Sequence, residues 1–404
     1  MGLSVGVIGG GQLARMMIPA AVNLGIDIRV LAENAGSSAA LAATMVGDYR
    51  DRDTVLRFAE GVDVITFDHE HVPQEILHEL VARGVRVHPG PDALVYAQDK
   101  LLMRKRLSEL GLPVPEWARV ETTEDLQVFL DANGGRAVVK TARGGYDGKG
   151  VRVVSTADEV DDWLANGDSL LAEEVVDFRR ELAQLVARRP SGEIVAWPVV
   201  ESIQRDGVCA EVIAPAPSSA GKLSDVASDI AQTIAEELGV TGVLAVELFE
   251  TTDDRLLVNE LAMRPHNTGH WSIEGSTTSQ FEQHLRAVLD LPLGATGTRD
   301  EWSVMVNILG GPGLGTSTRS QSDLLSTGTS TRSQSDLLST GRPDQHIELS
   351  DRYAGAFADQ PTVKVHNYGK EPRPGRKVGH VTAVGDDLDE VVFQARAAAE
   401  YFQD

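Results

Sequence analysis

"VLAVELFETTDDRLLVNEL", Val243–Leu261, holds two strongly apolar runs joined by a Thr-Asp turn. Apolar runs of this length bounded by turn residues read as the two strands of a hairpin. Closing that hairpin at Asp253-Asp254 sets Glu247 opposite Glu260, with Asn259 beside them. Like charges directly opposite one another destabilise a sheet. A divalent cation removes the conflict, and oxygen-only ligands suit magnesium on nucleotide phosphates. The plainer reading is a solvated acidic pair.

A second stretch points the same way. "KTARGGYDGKGV", Lys140–Val151, puts four glycines, two lysines and an arginine after an apolar run. It has the composition of a phosphate cradle but fails the P-loop pattern. Gly150 follows Lys149 where a Ser or Thr belongs, and Arg143 takes the place of the first glycine.

The whole chain has 404 residues, enough for two or three domains. Its formal charge is −23, a field that repels nucleic acid and anionic membrane. A local basic cluster in such a chain marks a specific anion site. The lone Cys209 excludes an intrachain disulfide and fits a reducing cytoplasm. The N-terminus lacks the features of a signal peptide, and no apolar run reaches membrane-spanning length. A soluble, cytoplasmic protein is expected.

The first hundred residues alternate strands and helices: "SVGVIG", "GQLARMMIPAAVNLG", "IDIRVLAE", "VDVITFD", "PQEILHELVAR" and "VRVH". That alternation predicts a doubly wound parallel α/β sheet over 1–94. One long helix, "YAQDKLLMRKRLSELG", then opens an α+β unit over 95–296. Its strands "RAVVKT", "VRVVS", "LLAEEVV", "ELAQLVARR" and "EIVAWPVV" read as antiparallel hairpins, with a helix over roughly 221–238. A small β-rich unit over 297–404 has strands "SVMVNIL", "TVKVHN" and "KVGHVTAV", then a helix from Asp387. "GTSTRSQSDLLST" at 315–327 recurs unchanged at 328–340, a tandem duplication of loop-like composition.

Four further stretches carry candidate chemistry. "GGGQLA", Gly9–Ala14, satisfies a dinucleotide fingerprint, with Glu33 about twenty residues on; a tight turn without a dinucleotide is the competing reading. "VITFDHEHVP" ends a strand with His69, Glu70 and His71, a pair of histidines without a third metal ligand nearby. In "LLAEEVVDFRREL", main-chain groups of Glu173–Val176 could read an adenine edge and Glu181 take ribose hydroxyls. "RPHNTGHW", Arg264–Trp271, looks too polar for core, and "KEPRPGRKVGH" packs Lys370, Arg373, Arg376 and Lys377 into a rigid basic loop. A phosphate or carboxylate is the natural partner of that loop.

The order of these motifs resembles the ATP-grasp enzymes, and most closely the 5-(carboxyamino)imidazole ribonucleotide synthase family of bacterial purine biosynthesis. The resemblance rests on "GVIGGGQLARMM", "QDK", "VVKTARGGYDGKG", "EEVVDFRRELA", "VVESIQRDGV", "VNELAMRPHNTGHW", "SQFEQHLRAVLDLPLG" and "KEPRPGRKVGH". It covers nearly the whole chain apart from the duplicated insert.

The resemblance implies a pre-ATP-grasp domain, an ATP-grasp domain and a C-terminal domain, with ATP and magnesium as cofactors. ATP would be held by Lys100, Lys140, Gly145, Tyr146, Asp147, Gly148, Lys149, Gly150, Val151, Glu173, Glu174, Val175, Val176, Glu181, Gln204, Asn259 and Glu260. Magnesium would sit on Glu247 and Glu260. Aminoimidazole ribonucleotide would meet Gly11, Gln12, Leu13, Glu70, Tyr146, His266, Asn267, Lys370, Arg373, Arg376 and Lys377. Lys140, Asp147, Lys149 and Arg264 would be catalytic, with bicarbonate activated by ATP to carboxyphosphate. The family also suggests a homodimer. Three positions depart from the family pattern: Gln204 for His, Met263 for Pro and Asp68 for Glu.

Overall fold

The computed structural model describes residues 2–145, 150–205, 207–219, 221–310 and 349–403. Tyr146, Asp147, Gly148 and Lys149 of the glycine-rich stretch, and the duplicated insert, lie outside the described residues.

The N-terminal unit is a parallel sheet of β1 (Ser4–Ile8), β2 (Asp27–Ala32), β3 (Ala43–Val46) and β4 (Val64–Phe67), in the order β3-β2-β1-β4. Parallel partners flank β1 on both sides, and every residue of it is buried. "VRVH" forms no strand in this sheet; Val87 makes only an isolated parallel bridge to Ile65. Helices Gln12–Leu24, Arg52–Ala59 and Gln74–Ala82 link the strands. The second of these starts at Asp51, whose carboxylate accepts the Thr54 amide, a capping signal the sequence reading passed over.

The expected long helix is two helices, Pro91–Gln98 and Lys100–Glu109. Asp99 causes the break. Its Oδ1 caps the amides of Leu101 and Leu102, and its Oδ2 accepts from Arg143 Nε at 3.0 Å. An Asp side chain that satisfies exposed amides favours a helix start over a helix interior.

A small antiparallel sheet follows, formed by β5 (Trp117–Val120), β6 (Ala137–Thr141), β7 (Val151–Val154) and β8 (Leu170–Glu173), in the order β5-β8-β6-β7. The glycine-rich stretch is the β6–β7 connection. Helix Thr123–Ala132 covers this sheet and begins with a capping box between Thr122 and Asp125.

The remaining strands build one nine-stranded sheet. They are β9 (Phe178–Arg188), β10 (Ile194–Ala196), β11 (Val200–Arg205), β12 (Val208–Ala214), β13 (Gly242–Thr251), β14 (Leu256–Ala262), β15 (Trp302–Gly310), β16 (Lys364–Asn367) and β17 (Arg376–Gly385). Pro198 lacks an amide donor and falls in the gap between β10 and β11, where "EIVAWPVV" reads as one strand. The order β14-β13-β9-β11-β12-β15-β17-β16 runs across the boundary expected near 296. The C-terminal β-rich unit therefore extends the central sheet through the β12–β15 ladder. Helix Lys222–Glu237 packs on β9 and β13, and helix Leu388–Glu400 on β15 and β17. Among the described residues no helix is long and apolar enough to cross a membrane.

Candidate active site

All three units line one cleft of about 1530 Å³. It gathers Gln12, Leu13, Glu70, Lys100, Lys140, Gly145, Val151, Glu173–Val176, Glu181, Gln204, Glu247, Asn259, Glu260, Arg264, His266, Asn267, Lys370, Arg373, Arg376 and Lys377. Nearly every described candidate residue is thus in one place, although the sequence spreads them over 366 positions from 12 to 377.

The carboxylate pair forms as expected, for a reason the hairpin count does not contain. Thr251 donates to Arg255, so the turn is one residue longer than supposed, with Asp254 in the left-handed region at φ 62°. Pairing then runs Phe249 to Leu257 and Leu248 to Val258. A bulge between Leu248 and Glu247 skips Asn259 and restores Glu247 opposite Glu260. The two displacements cancel. Burial pushes the Glu247 carboxyl well above its usual range, and the facing Glu260 charge adds to that shift. Two facing carboxylates that resist ionising together, with an amide oxygen beside them, fit a hard divalent cation.

Two lysines bridge this hairpin to the small sheet. Lys140 Nζ contacts Glu173 Oε2 at 2.7 Å and donates to Asn259 Oδ1 at 3.0 Å. Lys100 Nζ donates to the Gly144 carbonyl at 3.1 Å and lies 3.5 Å from Glu260 Oε1. Its position at the start of the second helix follows from the Asp99 cap.

Glu173 was expected to act through its main chain, and its side chain has a separate task. Its carboxylate is 3 % exposed and pairs with Arg104 as well as Lys140, so it orients the lysine instead of facing a ligand. Desolvation works against ionisation there, yet the two cations hold its pKa below the usual range. Arg104 was missed by the sequence reading. It is fully buried, and its Nη1 and Nη2 donate to the carbonyls of Val258 and Asn259 at 2.7 and 2.6 Å. The available signal was a guanidinium on the same helix as buried Leu101, Met103 and Leu107. The Glu174 amide donates to the Glu116 carbonyl at 2.9 Å, and Glu173–Val176 all line the cleft. Burial pushes the Glu181 carboxyl up, opposed by a hydrogen bond from Gln204.

At the other end, Arg264 Nε meets Glu70 Oε2 at 2.8 Å, and Lys370 donates to the Gln12 side chain. His266 stands between the two ends, with Nε2 3.3 Å from Glu247 Oε1. Burial keeps its ring neutral, and its Nδ1 meets the Thr268 hydroxyl at 2.9 Å.

The loop "RPHNTGHW" is not the exposed segment its polarity suggests. Asn267, Thr268, His270 and Trp271 are all buried. Interior partners satisfy it: the Asn267 amide exchanges hydrogen bonds with that of Asn307 at 3.0 and 2.6 Å. Asn267 therefore shapes the cleft while its own amide is occupied.

The glycine-rich turn at the start of the chain is filled from within. Glu33 Oε2 accepts the Gly10 amide at 3.2 Å, and Asp68 Oδ1 accepts the Ala14 amide at 2.8 Å. A Cβ on Gly11 would lie 2.0 Å from Asp68 Oδ2. A hydrogen bond with His69 is the main cause that takes the Glu33 pKa down to about 2. With two carboxylates already at this helix N-terminus, a pyrophosphate would meet like charge, which argues against the dinucleotide reading. Among the described residues no group of three potential ligands supports a metal at His69 and His71.

Comparison with known proteins agrees with this arrangement. The ribonucleotide synthetase preATP-grasp domain matches residues 3–98, the ATP-grasp domain 105–281, and the phosphoribosylaminoimidazole carboxylase C-terminal domain 303–394. N5-carboxyaminoimidazole ribonucleotide synthase of Mycobacterium tuberculosis is 47 % identical, over 98 % of this chain and 87 % of the relative. An ADP complex of an N5-carboxyaminoimidazole ribonucleotide synthetase superposes with a TM-score of 0.83 at 33 % identity, covering 98 % of this chain and 96 % of the other. The Aspergillus clavatus synthase in complex with ADP and 5-aminoimidazole ribonucleotide gives a TM-score of 0.81 at 29 % identity, with 99 % and 98 % covered. With the three domains in this order and a relative so similar along its length, the chain belongs to the N5-carboxyaminoimidazole ribonucleotide synthase family of ATP-grasp enzymes.

Proposed function

We propose that this chain carboxylates 5-aminoimidazole ribonucleotide on its exocyclic amine, using ATP and bicarbonate and releasing ADP and phosphate, as a step of purine biosynthesis. The observation that carries the reading is the content of one cleft: two lysines held against a facing carboxylate pair, and the cations of a basic loop lining the same space.

A bicarbonate oxygen attacks the γ-phosphorus, ADP leaves, and carboxyphosphate forms. The ribonucleotide amine then attacks the carboxyl carbon, phosphate departs, and the amine gives up a proton. Lys140 and Lys100 orient the phosphates and offset charge on the transferring phosphoryl group. Magnesium held by Glu247 and Glu260 would supply further neutralisation there. Arg264, fixed by Glu70, faces the anionic carbon source, and His266 is held neutral between it and the carboxylate pair. Lys370, Arg373, Arg376 and Lys377 take the ribonucleotide phosphate. Asp147 serves as proton acceptor and Lys149 acts on the phosphates, and exclusion of water protects the mixed anhydride. We assign the protein to the cytoplasm and to a homodimer.

The test is ADP release with ATP and bicarbonate, with and without aminoimidazole ribonucleotide. Release that requires all three, with a carboxylated ribonucleotide formed, is expected. ADP formation indifferent to the ribonucleotide would overturn the reading.

A further inference from the structure

Three imidazoles lie stacked behind the ribonucleotide end of the cleft. His366 on β16 stacks on His380 of β17 with ring centroids 4.5 Å apart and planes 15° from parallel. His380 stacks in turn on His270 at 5.0 Å and 28°. Sheet register sets the first pair, since His366 stands opposite His380 in the ladder. His270 is delivered by the single turn Asn267–Gly269 and the short helix Ser272–Gly275, which packs on β15 and β17.

Each side of the stack is fastened to one loop of the site. Gln280 Oε1 accepts the His266 amide at 2.8 Å, while its Nε2 donates to the His266 carbonyl at 2.8 Å and to His270 Nδ1 at 2.9 Å. The His266 amide can only donate, which fixes the orientation of the Gln280 side chain. On the other side the Tyr368 hydroxyl meets His380 Nδ1 at 2.7 Å, and the Tyr368 carbonyl accepts from Ser38. Two residues further on, Lys370 reaches Gln12. His366 Nε2 is held by Glu274 Oε1 at 2.9 Å.

Burial, reinforced by the neighbouring imidazoles, keeps His270 and His380 neutral. Burial also keeps the Tyr368 phenol protonated, and one hydrogen bond joins it to His380 Nδ1. His270, whose Nδ1 accepts from Gln280, carries its hydrogen on Nε2, and neither that nitrogen nor His380 Nε2 has a partner among the described residues. A buried donor without an acceptor costs stability, which an apolar ring of similar size would avoid. Imidazoles at these positions therefore serve something other than core packing. None of His270, His366, Tyr368, His380 or Gln280 lines the cleft.

We propose that the His366–His380–His270 stack, with Gln280 and Tyr368, is a positioning unit that sets the separation between the His266 loop and the Lys370–Lys377 loop. It rests on the assignment of those loops to the ribonucleotide given above. The residues act through His266 and Lys370 and touch no substrate.

Two variants test it, with Michaelis constants for ribonucleotide and ATP and the melting temperature measured on each. Tyr368→Phe keeps the ring and removes only the hydroxyl; His380→Phe keeps a stacking ring and removes Nδ1. A neutral hydrogen bond of ordinary strength corresponds to about a two- to tenfold effect. The ribonucleotide constant should rise by that factor in both variants, with the ATP constant and melting temperature little changed. Because both break the same link, the double variant should be no worse than the single ones. Unchanged constants, or ribonucleotide and ATP constants rising together as the melting temperature falls, would overturn the proposal. Arg376→Ala in the same assay separates the two layers. If it raises the ribonucleotide constant while Tyr368→Phe does not, the positioning unit alone is wrong; if it has no effect, the loop assignment fails and takes this proposal with it.

Discussion

Replacing Glu173 by Gln should cost the protein both stability and ATP affinity. The carboxylate is 3 % exposed and lies between the fully buried Arg104 and the mostly buried Lys140. Glutamine keeps the shape and one acceptor oxygen but leaves two cations without a counter-charge. Removing one partner of a buried pair typically costs about 3–5 kcal/mol, and the upper half of that range is expected because two cations are affected. Arg104 still has the carbonyls of Val258 and Asn259, so the larger change falls on Lys140, left with Asn259 Oδ1 alone. A charge-assisted hydrogen bond contributes roughly 1.5–3 kcal/mol. The Michaelis constant for ATP should rise about tenfold or more, at about 1.4 kcal/mol per decade. Urea unfolding followed by tryptophan fluorescence gives the first quantity and steady-state kinetics the second. The double variant Arg104→Met/Glu173→Leu should regain only part of the stability, while ATP affinity stays low. The Arg104 charge leaves with Glu173, but Lys140 keeps no counter-charge and the Val258 and Asn259 carbonyls lose their donor. A Glu173→Gln protein with a wild-type urea midpoint and ATP constant would refute the argument that this pair orients Lys140.

Glu260→Gln should leave the fold intact and collapse magnesium-dependent turnover; wild-type turnover with the same magnesium dependence would remove Glu260 from the metal site. Arg376→Ala should raise the ribonucleotide constant about 10- to 150-fold, the range of one charge-assisted hydrogen bond, with the ATP constant within a few-fold. Arg376→Lys should recover only part of that loss, since an ammonium lacks the bidentate fork; a rise confined to ATP would reassign the loop. Stability should fall as pH drops from about 6.5 towards 4, because burial holds His88 at about 4 and His284 at about 3. Below 6.5 the unfolded chain binds protons that these folded imidazoles refuse, so the unfolded state gains. Urea midpoints at pH 7, 5.5 and 4.5 measure this, and a flat profile would contradict it. The buried His266, His270 and His380 act in the same direction and outweigh Glu247, which at about 8 takes up a proton in the folded state and opposes the fall. Glu33, held at about 2, adds to the fall only from about 4.5 downwards.

The sequence was most legible where chemistry is local. Glu247 and Glu260 could be paired by counting along one hairpin, and the count survived a misplaced turn only because the Asn259 bulge compensated. The basic loop was legible because its four cations lie within eight residues of an acidic chain. Arg104 was not, because its partner Glu173 lies 69 residues away and the apolar residues around it on the helix do not name a counter-ion. The Arg264–Trp271 loop misled for a related reason. Its polarity is answered by Gln280 and Asn307, whose positions only the folded sheet supplies. The Asp99 break was hidden by helix-like periodicity on both sides, although a lone Asp before a helical run is itself a cap signal.

The continuity of the large sheet gives the two ends of the cleft unequal compliance. The carboxylate hairpin and the strand that follows the basic loop belong to one hydrogen-bonded body, from β14 to β16. Spreading those two apart means breaking backbone ladders. The small sheet meets the hairpin through side-chain links such as Lys140 with Asn259, which can part and re-form without breaking a ladder. On the reading proposed above, the wall on the nucleotide side can therefore give way while the floor on the ribonucleotide side cannot. Inhibitors enlarged on the adenine side should find room by displacing that wall, whereas bulk added to a ribonucleotide mimic has to fit the space already there.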